Sequence, residues 1–376
     1  MYIPIPDVSA IVNEIEKKNV GENETVFVML AENQHPDIHK LIAELNKLEI
    51  DFFGGIFPGI IHGSQKYDSG ALIHILPVTQ KPMLFQDIHN SRDELEKSLP
   101  LFKSLHKKNA TALIIVDGMS SNISAFLSSI FNLFADSVKY IGSGAGFADM
   151  QAKPCIFTPE GFFDDSAVVA LLNLKCNMGV HHGWKKDIGP LIVTKSENNI
   201  IKELNWKNAL HTYSEALKLK CDVLCDAREA YDLLSHYPFG IYIENHEDLV
   251  REVFKISDDG ELICAGEVPE NAVLSILKGT KKDLIAAAEK SVEDCFRDEN
   301  IPAEHCLIID CVGRSAYLQE EFKEELEAVK TRLESRNIQA IPEGVLSTGE
   351  IASVGGDILE YLNKTIVFGV LYESRD

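Results

Sequence analysis

The sequence predicts an α/β chain of the α+β type. Repeated strand-helix-strand-strand units form mixed, largely antiparallel sheets with helices packed on them, in two domains. Three observations carry this expectation. One unit recurs three times along the chain, and such self-similarity decides a fold before any local motif does. In each copy an amphipathic helix is followed by a strand broken by glycines. Several strands then follow in succession, where a purely doubly wound fold would alternate strand and helix.

Residues 7–18 open as a short amphipathic helix through Val8, Ile11, Val12 and Ile15. The first unit reads Thr25–Leu30, a helix through Ile38, Leu41, Leu45 and Leu48, the segment Phe53-Gly-Gly-Ile-Phe-Pro-Gly59, and Ala71–Leu76. The second reads Ala112–Val116, a helix through Ile123, Phe126, Leu127 and Ile130, then Ile141-Gly-Ser-Gly-Ala-Gly-Phe147, then Ala167–Leu172. Strands at 176–180 and 190–194 extend it. Polar residues at 196–199 and the run Asn205-Trp-Lys207 mark the joint between a first domain, 1–205, and a second, 206–376. Past a helix near 209–218, Asp258-Asp-Gly260 signals a tight turn before Leu262-Ile-Cys264. A strand at 273–277 and a helix around 284–296 lead to the third unit. It reads Cys306–Asp310, a helix through Leu318, Phe322, Leu326, Val329 and Leu333, then Gly344-Val-Leu-Ser-Thr-Gly-Glu350, then Thr365–Val370.

The balance of 58 acidic against 36 basic residues gives a formal charge of −22. Such a field repels phosphate backbones and anionic lipid heads, so neither nucleic acid nor a membrane surface is an expected partner. No apolar run approaches the ~20 residues of a membrane helix. The N-terminus lacks the basic and apolar regions of an export signal, so the eight cysteines are expected as reduced thiols in a cytoplasmic protein.

Most catalytic signatures fail. Gly142-Ser-Gly-Ala-Gly146 has dinucleotide-like spacing but is followed by a predicted strand where that fingerprint needs a helix. His35 and His39 lie at i, i+4 near a helix start without further ligands and read as surface histidines, and Cys221 and Cys225 read as buried thiols. No metal or other cofactor is expected. Glycine turns do let a backbone approach a ligand closely, which makes Ser143 and Gly144 candidate contacts. Two clusters in the third unit add to them. Arg314, in Asp310-Cys-Val-Gly-Arg314, carries planar donors suited to a carboxylate, or to a salt bridge with a Glu of the following helix. Ser347, Thr348, Gly349 and Glu350 combine hydroxyls, an open turn and a carboxylate. An Arg and a Glu in one pocket would suit a zwitterion. In His182-Gly-Trp184, Trp184 reads either as core or as the wall of a ligand cleft between the halves.

On these residues the chain resembles the FIST family, with paired N- and C-terminal domains. The N-terminal likeness runs through Phe53-Gly-Gly, Ile141–Gly146, His182-Gly-Trp184, Val193-Thr194 and Glu203-Leu204. The C-terminal likeness runs through Tyr237–Gly240, Arg251, Asp259-Gly260, Val268-Pro-Glu270, Cys311–Arg314 and Thr348-Gly-Glu350. Ile56 and Phe57 depart from the small or hydroxylated residues usual in the first glycine turn, and Asn271 stands where glycine is usual. The resemblance implies a bacterial-type sensory domain that binds a small molecule, an amino acid or related metabolite, and signals through a partner protein. The competing expectation is an enzyme acting on a small polar metabolite, with Cys311 as nucleophile beside Arg314.

Overall fold

A computed structural model describes residues 1–90, 110–219, 233–297, 301, 303–354 and 358–373. Cys221 and Cys225 lie outside the described residues. Unit one comprises edge strand β1 (Tyr2–Ile3), α1 (Val8–Glu16), β2 (Glu24–Ala31), α2 (Ile38–Asn46), β3 (Phe52–Phe57), the hairpin β4 (Gly59–His62) and β5 (Gln65–Tyr67), and β6 (Ala71–Pro77). Unit two comprises edge strand β7 (Met83–Gln86), β8 (Ala110–Asp117), α3 (Ile123–Phe134), β9 (Val138–Ala145), the hairpin β10 (Ile156–Thr158) and β11 (Gly161–Phe163), and β12 (Ser166–Leu172). Unit three begins at edge strand β13 (Lys175–His181).

An insertion interrupts unit three. It contains β14 (Lys185–Glu197), β15 (Ile200–Leu204), β16 (Lys207–Asn208), α4 (Ala209–Leu217), β17 (Phe239–Ile241), β18 (Leu249–Arg251), β19 (Val253–Ile256), β20 (Leu262–Cys264) and β21 (Val273–Lys278). Unit three then resumes with α5 (Lys281–Cys295), β22 (His305–Cys311), α6 (Val312–Leu318), α7 (Phe322–Ser335), β23 (Pro342–Ser347), the hairpin β24 (Glu350–Val354) and β25 (Ile358–Leu362), and β26 (Ile366–Tyr372).

The three units share one topology. In each, the first strand is central, the glycine-broken strand runs parallel on one side, and the returning strand runs antiparallel on the other. Every glycine-broken strand is then extended by a hairpin borrowed from another unit. Strand β10 pairs with β3, β24 with β9, and β4 with β23. The loan is cyclic, so the three six-stranded sheets form a pseudo-threefold arrangement. Their inner faces share one core in which Phe27, Phe53, Leu113, Ile141, Leu307 and Val345 meet. Helices cover the outer faces, with separate apolar clusters beneath α1 and α2, α3, and α5 to α7.

The sheets are therefore mixed and largely antiparallel, with one parallel ladder per unit, and the fold is α+β. The insertion forms a fourth, eight-stranded antiparallel sheet. The Asp258–Gly260 turn lies between β19 and β20 as its sequence implies, with Gly260 at φ +74°. The Asn205–Trp206 segment is a left-handed turn between β15 and β16 inside this sheet. One element differs from its expected form. The third unit's helix starts directly at Val312 and breaks at Gln319 (φ +53°), giving α6 and α7. Arg314 thus lies on a helix and not on a strand end.

Candidate ligand-binding site

The second unit's first strand ends in Asp117-Gly-Met-Ser-Ser-Asn122, a short polar loop leading into α3. Asp117 is buried and folds the loop back. Its Oδ1 accepts from Met119 N–H at 2.9 Å and its Oδ2 from Asp165 N–H at 2.7 Å. Burial raises the Asp117 carboxyl above its ordinary range, and those two N–H donors oppose the rise. Asn122 adopts the left-handed region (φ 64°) and offers no side-chain cap to the helix. The first-turn N–H groups of a helix have no intrahelical acceptors, and the macrodipole makes that end a seat for negative charge.

These groups line a cavity of about 300 Å³. The loop 118–122 and the start of α3 form one side. Asn198, Asn199, Phe254 and residues 264–267 of the inserted sheet form the opposite side, and Thr348 and Tyr361 line it as well. Among the described residues that line it, Glu267 alone carries a formal charge. Met119, Met150, Ile123 and Phe254 supply apolar surface.

The Thr348 and Tyr361 corner is built by missing side chains. A Cβ on Gly118 would lie 1.9 Å from Thr348 Oγ1, and one on Gly144 would lie 2.6 Å from Tyr361 Oη. On Gly349 it would lie 2.1 Å from the Tyr361 ring. Tyr361 is 4% exposed and its hydroxyl has no hydrogen-bond partner among the described residues, while burial raises its pKa and the neighbouring Thr348 side chain opposes the rise. Arg251 ties this corner to the inserted sheet. It is buried, donates from Nε to the carbonyl of Glu267 at 2.9 Å, and from Nη1 to that of Tyr361 at 3.0 Å.

The structure brings together five of the residues singled out from sequence. Ser143 Oγ meets Ser347 Oγ at 3.1 Å, Gly144 N–H donates to the carbonyl of Gly349 at 2.7 Å, and Thr348 N–H donates to the carbonyl of Gly144 at 3.1 Å. Their polar groups largely satisfy one another, and Thr348 is the one that lines the cavity.

Of the two roles expected of Arg314, the salt bridge to a Glu of the following helix is the one observed. Arg314 is fully buried and grips Glu325 of α7 with Nε at 2.9 Å and Nη2 at 2.7 Å. Nη1 donates to the carbonyl of His182 at 2.6 Å, and Nη2 to that of Leu284. Glu350 is also fully buried and accepts from Thr365 N–H at 3.2 Å. Burial raises its carboxyl well above the ordinary range, against the opposing pull of Thr365, Cys311 and Arg314. Arg314 and Glu350 share a buried charged cluster, and neither lines the cavity. Trp184 is 4% exposed, packs on Tyr317 with ring centroids 5.0 Å apart, and belongs to the apolar cluster of unit three. It walls no part of the cavity.

Cys311 is buried, and burial together with Glu350 and Glu252 pushes its thiol well above the ordinary range. A thiolate nucleophile needs the opposite environment. The glycines of the repeat are also explained by packing. A Cβ on Gly54, Gly142 or Gly344 would lie 2.4, 2.1 or 1.8 Å from the carbonyl oxygen of Val28, Ile114 or Ile308 in the neighbouring strand.

Sequence reasoning missed the 118–124 loop, Glu267 and Tyr361. The loop did carry a signal: a Gly/Ser-rich segment joining a strand's carboxyl end to a helix N-terminus, where α/β sheets commonly take ligands. Tyr361 and Glu267 carried none, because tertiary contact alone brings them there.

These observations define an α+β fold of three linked units with an inserted antiparallel sheet and a lined cavity, and comparison with known families places it. The FIST N domain matches residues 24–207 and the FIST C domain residues 209–353. The chain belongs to the FIST family, whose domains serve sensory signal transduction. The two matched segments share sheets, since β4, β9, β13 and β14 of the first pair with β23, β24, β26 and β21, and strands β25 and β26, which complete unit three, follow the second match. A search of curated proteins finds no match. Among the described residues no helix is long and apolar enough to cross a membrane.

Proposed function

We propose that the chain is a sensor of a small zwitterion, an amino acid or close relative, bound in the cavity at the N-terminus of α3. The observation that carries this reading is a helix N-terminus without a side-chain cap, in a cavity whose one charged lining residue among those described is Glu267. A ligand carboxylate fits the α3 first turn and the hydroxyls of Ser120, Ser121 and Tyr361. Its ammonium fits Glu267. The net charge of −22 would oppose entry of a free anion, whereas a zwitterion carries no net charge against that field. Thr348, braced by Ser143, Gly144, Ser347 and Gly349, contributes the floor. Arg314, Glu350 and Trp184 support the surrounding scaffold.

Because the cavity is lined by the inserted sheet on one side and by units two and three on the other, occupancy would fix their relative position. A downstream partner protein would read that change. The test is a thermal-shift and calorimetric screen of amino acids alongside their amines and des-amino acids. A ligand at 100 times its dissociation constant adds about 2.7 kcal/mol of stability. Stabilisation by an amino acid, and by neither half-charged analogue, supports the reading. Equal binding of the analogues, or none by any zwitterion, overturns it.

A further inference from the structure

Strand β7 ends at Gln86 and β12 begins at Ser166, and these two residues face each other in the antiparallel register. The next positions outward are Asp87 and Asp165. Like charges opposite each other at the end of a ladder are unfavourable, and a cation shared between them would relieve this. His89 follows two residues after Asp87, and its Nδ1 contacts Asp165 Oδ2. One ligand atom from each of Asp87, His89 and Asp165 lies within 4.8 Å of the others.

We infer that Asp87, His89 and Asp165 form a binding site for a divalent cation of the first transition row. Two further observations support it. Asp165 Oδ1 is shielded from solvent and has no hydrogen-bond partner among the described residues, which leaves a carboxylate lone pair open to a ligand there. The backbones that carry Asp165 and His89 are also anchored by neighbouring residues. Asp117 fixes the backbone N–H of Asp165 at 2.7 Å, the carbonyl of Asp165 accepts from Ile88 N–H at 3.2 Å, and Asn122 Nδ2 donates to the carbonyl of His89 at 2.5 Å.

The donor set selects the metal class. One imidazole and two carboxylates suit Mn²⁺, Fe²⁺ or Zn²⁺, whereas Ca²⁺ and Mg²⁺ prefer oxygen alone. Asp87 and His89 are exposed, so the remaining coordination positions would be filled by water. Asp117 and Asn122 belong to the loop that borders the cavity. A metal here would therefore brace that loop, although the site does not depend on what the cavity binds.

The experiment uses the full chain, treated with chelator and titrated with Mn²⁺, an ion with little affinity for the buried thiols. Calorimetry and electron paramagnetic resonance are expected to report one saturable equivalent, with nitrogen coupling from a bound imidazole. His89→Ala should abolish that coupling and weaken binding at least tenfold, and Asp87→Asn should weaken it comparably. Both side chains are exposed, and circular dichroism checks the fold; should His89→Ala fail to fold, His89→Gln and Asp87→Asn decide the matter. No saturable Mn²⁺ site, or affinity and coupling unchanged in the variants, would mean that His89 merely pairs with Asp165, and would overturn the inference.

Discussion

Arg314 and Glu325 form a two-pronged ion pair in which neither side chain reaches solvent, joining α6 to α7. The same guanidinium also donates to carbonyls of the 182 loop and α5. Removing one member leaves the other charge buried and unpaired, which typically costs about 3–5 kcal/mol. Glu325→Gln and Arg314→Met should each lower the unfolding free energy by about that amount in urea titrations. Arg314→Lys should also destabilise, because an ammonium cannot reproduce the planar fork. Unchanged stability in Arg314→Lys with a loss of ligand response would instead place Arg314 at the ligand.

The contact between Gly54 and the carbonyl of Val28 recurs at Gly142 with Ile114 and at Gly344 with Ile308. All three sit where the glycine-broken strand crosses its parallel neighbour too closely for any side chain. Alanine at each position must push two paired strands apart in a close-packed interior, so each variant should lose roughly 2 kcal/mol or more. Gly21→Ala, in an exposed loop, is the control and should melt close to the parent protein. A set in which one of the three repeat glycines tolerates alanine would break the equivalence of the units.

The repeat was legible in the sequence because it rests on local signals: helix periodicity through Leu41 and Leu45, or Leu326 and Val329, and glycines at a fixed place after each helix. The cyclic exchange of hairpins was not legible. Nothing in Ile60 or Ile61 indicates that they pair with Val345 and Gly344 nearly three hundred residues away, since an apolar strand states its burial but not its neighbour. The candidate site divides along the same line. The Ser347–Gly349 turn was visible as an open polar turn, and Thr348 does line the cavity. For Arg314 the sequence offered a ligand contact or a salt bridge to a Glu of the following helix, and only the fold-back of α7 decides for Glu325, eleven residues on.

His305 gives the protein a defined acid response. Burial, and then the neighbouring His74 at a ring-centroid distance of 5.4 Å, lower its pKa from 6.5 to about 4, with Glu343 opposing and the terminal amino group of Met1 adding to the shift. The native state therefore holds this imidazole neutral while the unfolded chain takes up its proton first. Stability from this group is complete above pH 6.5 and is lost as pH falls from 6.5 towards 4, by at most about 3 kcal/mol. Glu343, held at about 2 by His74 and Met1 against its own burial, adds a second loss below its ordinary value of 4.5. Melting temperature against pH should show both steps. His305→Gln should flatten the first and leave the second; a profile identical to the parent between pH 6.5 and 4 would rule out the assignment.

Tyr361 and Glu267 separate the two charges of the proposed zwitterion, and each makes a distinct forecast. The Tyr361 hydroxyl is buried without a partner among the described residues, so its removal in Tyr361→Phe should leave the ligand-free protein as stable as before or slightly more so. With ligand present it should forfeit a charge-assisted hydrogen bond to the carboxylate, about 1.5–3 kcal/mol, or tenfold or more in affinity. Glu267→Gln should act on the other end. It should weaken the amino acid while barely affecting its des-amino analogue, so the preference between them collapses. Calorimetric titration of both ligands against both variants gives four affinities from which the pattern is read. If Tyr361→Phe and Glu267→Gln weaken the two ligands by the same factor, neither residue recognises the charge assigned to it, and the orientation of the ligand along the α3 axis is wrong.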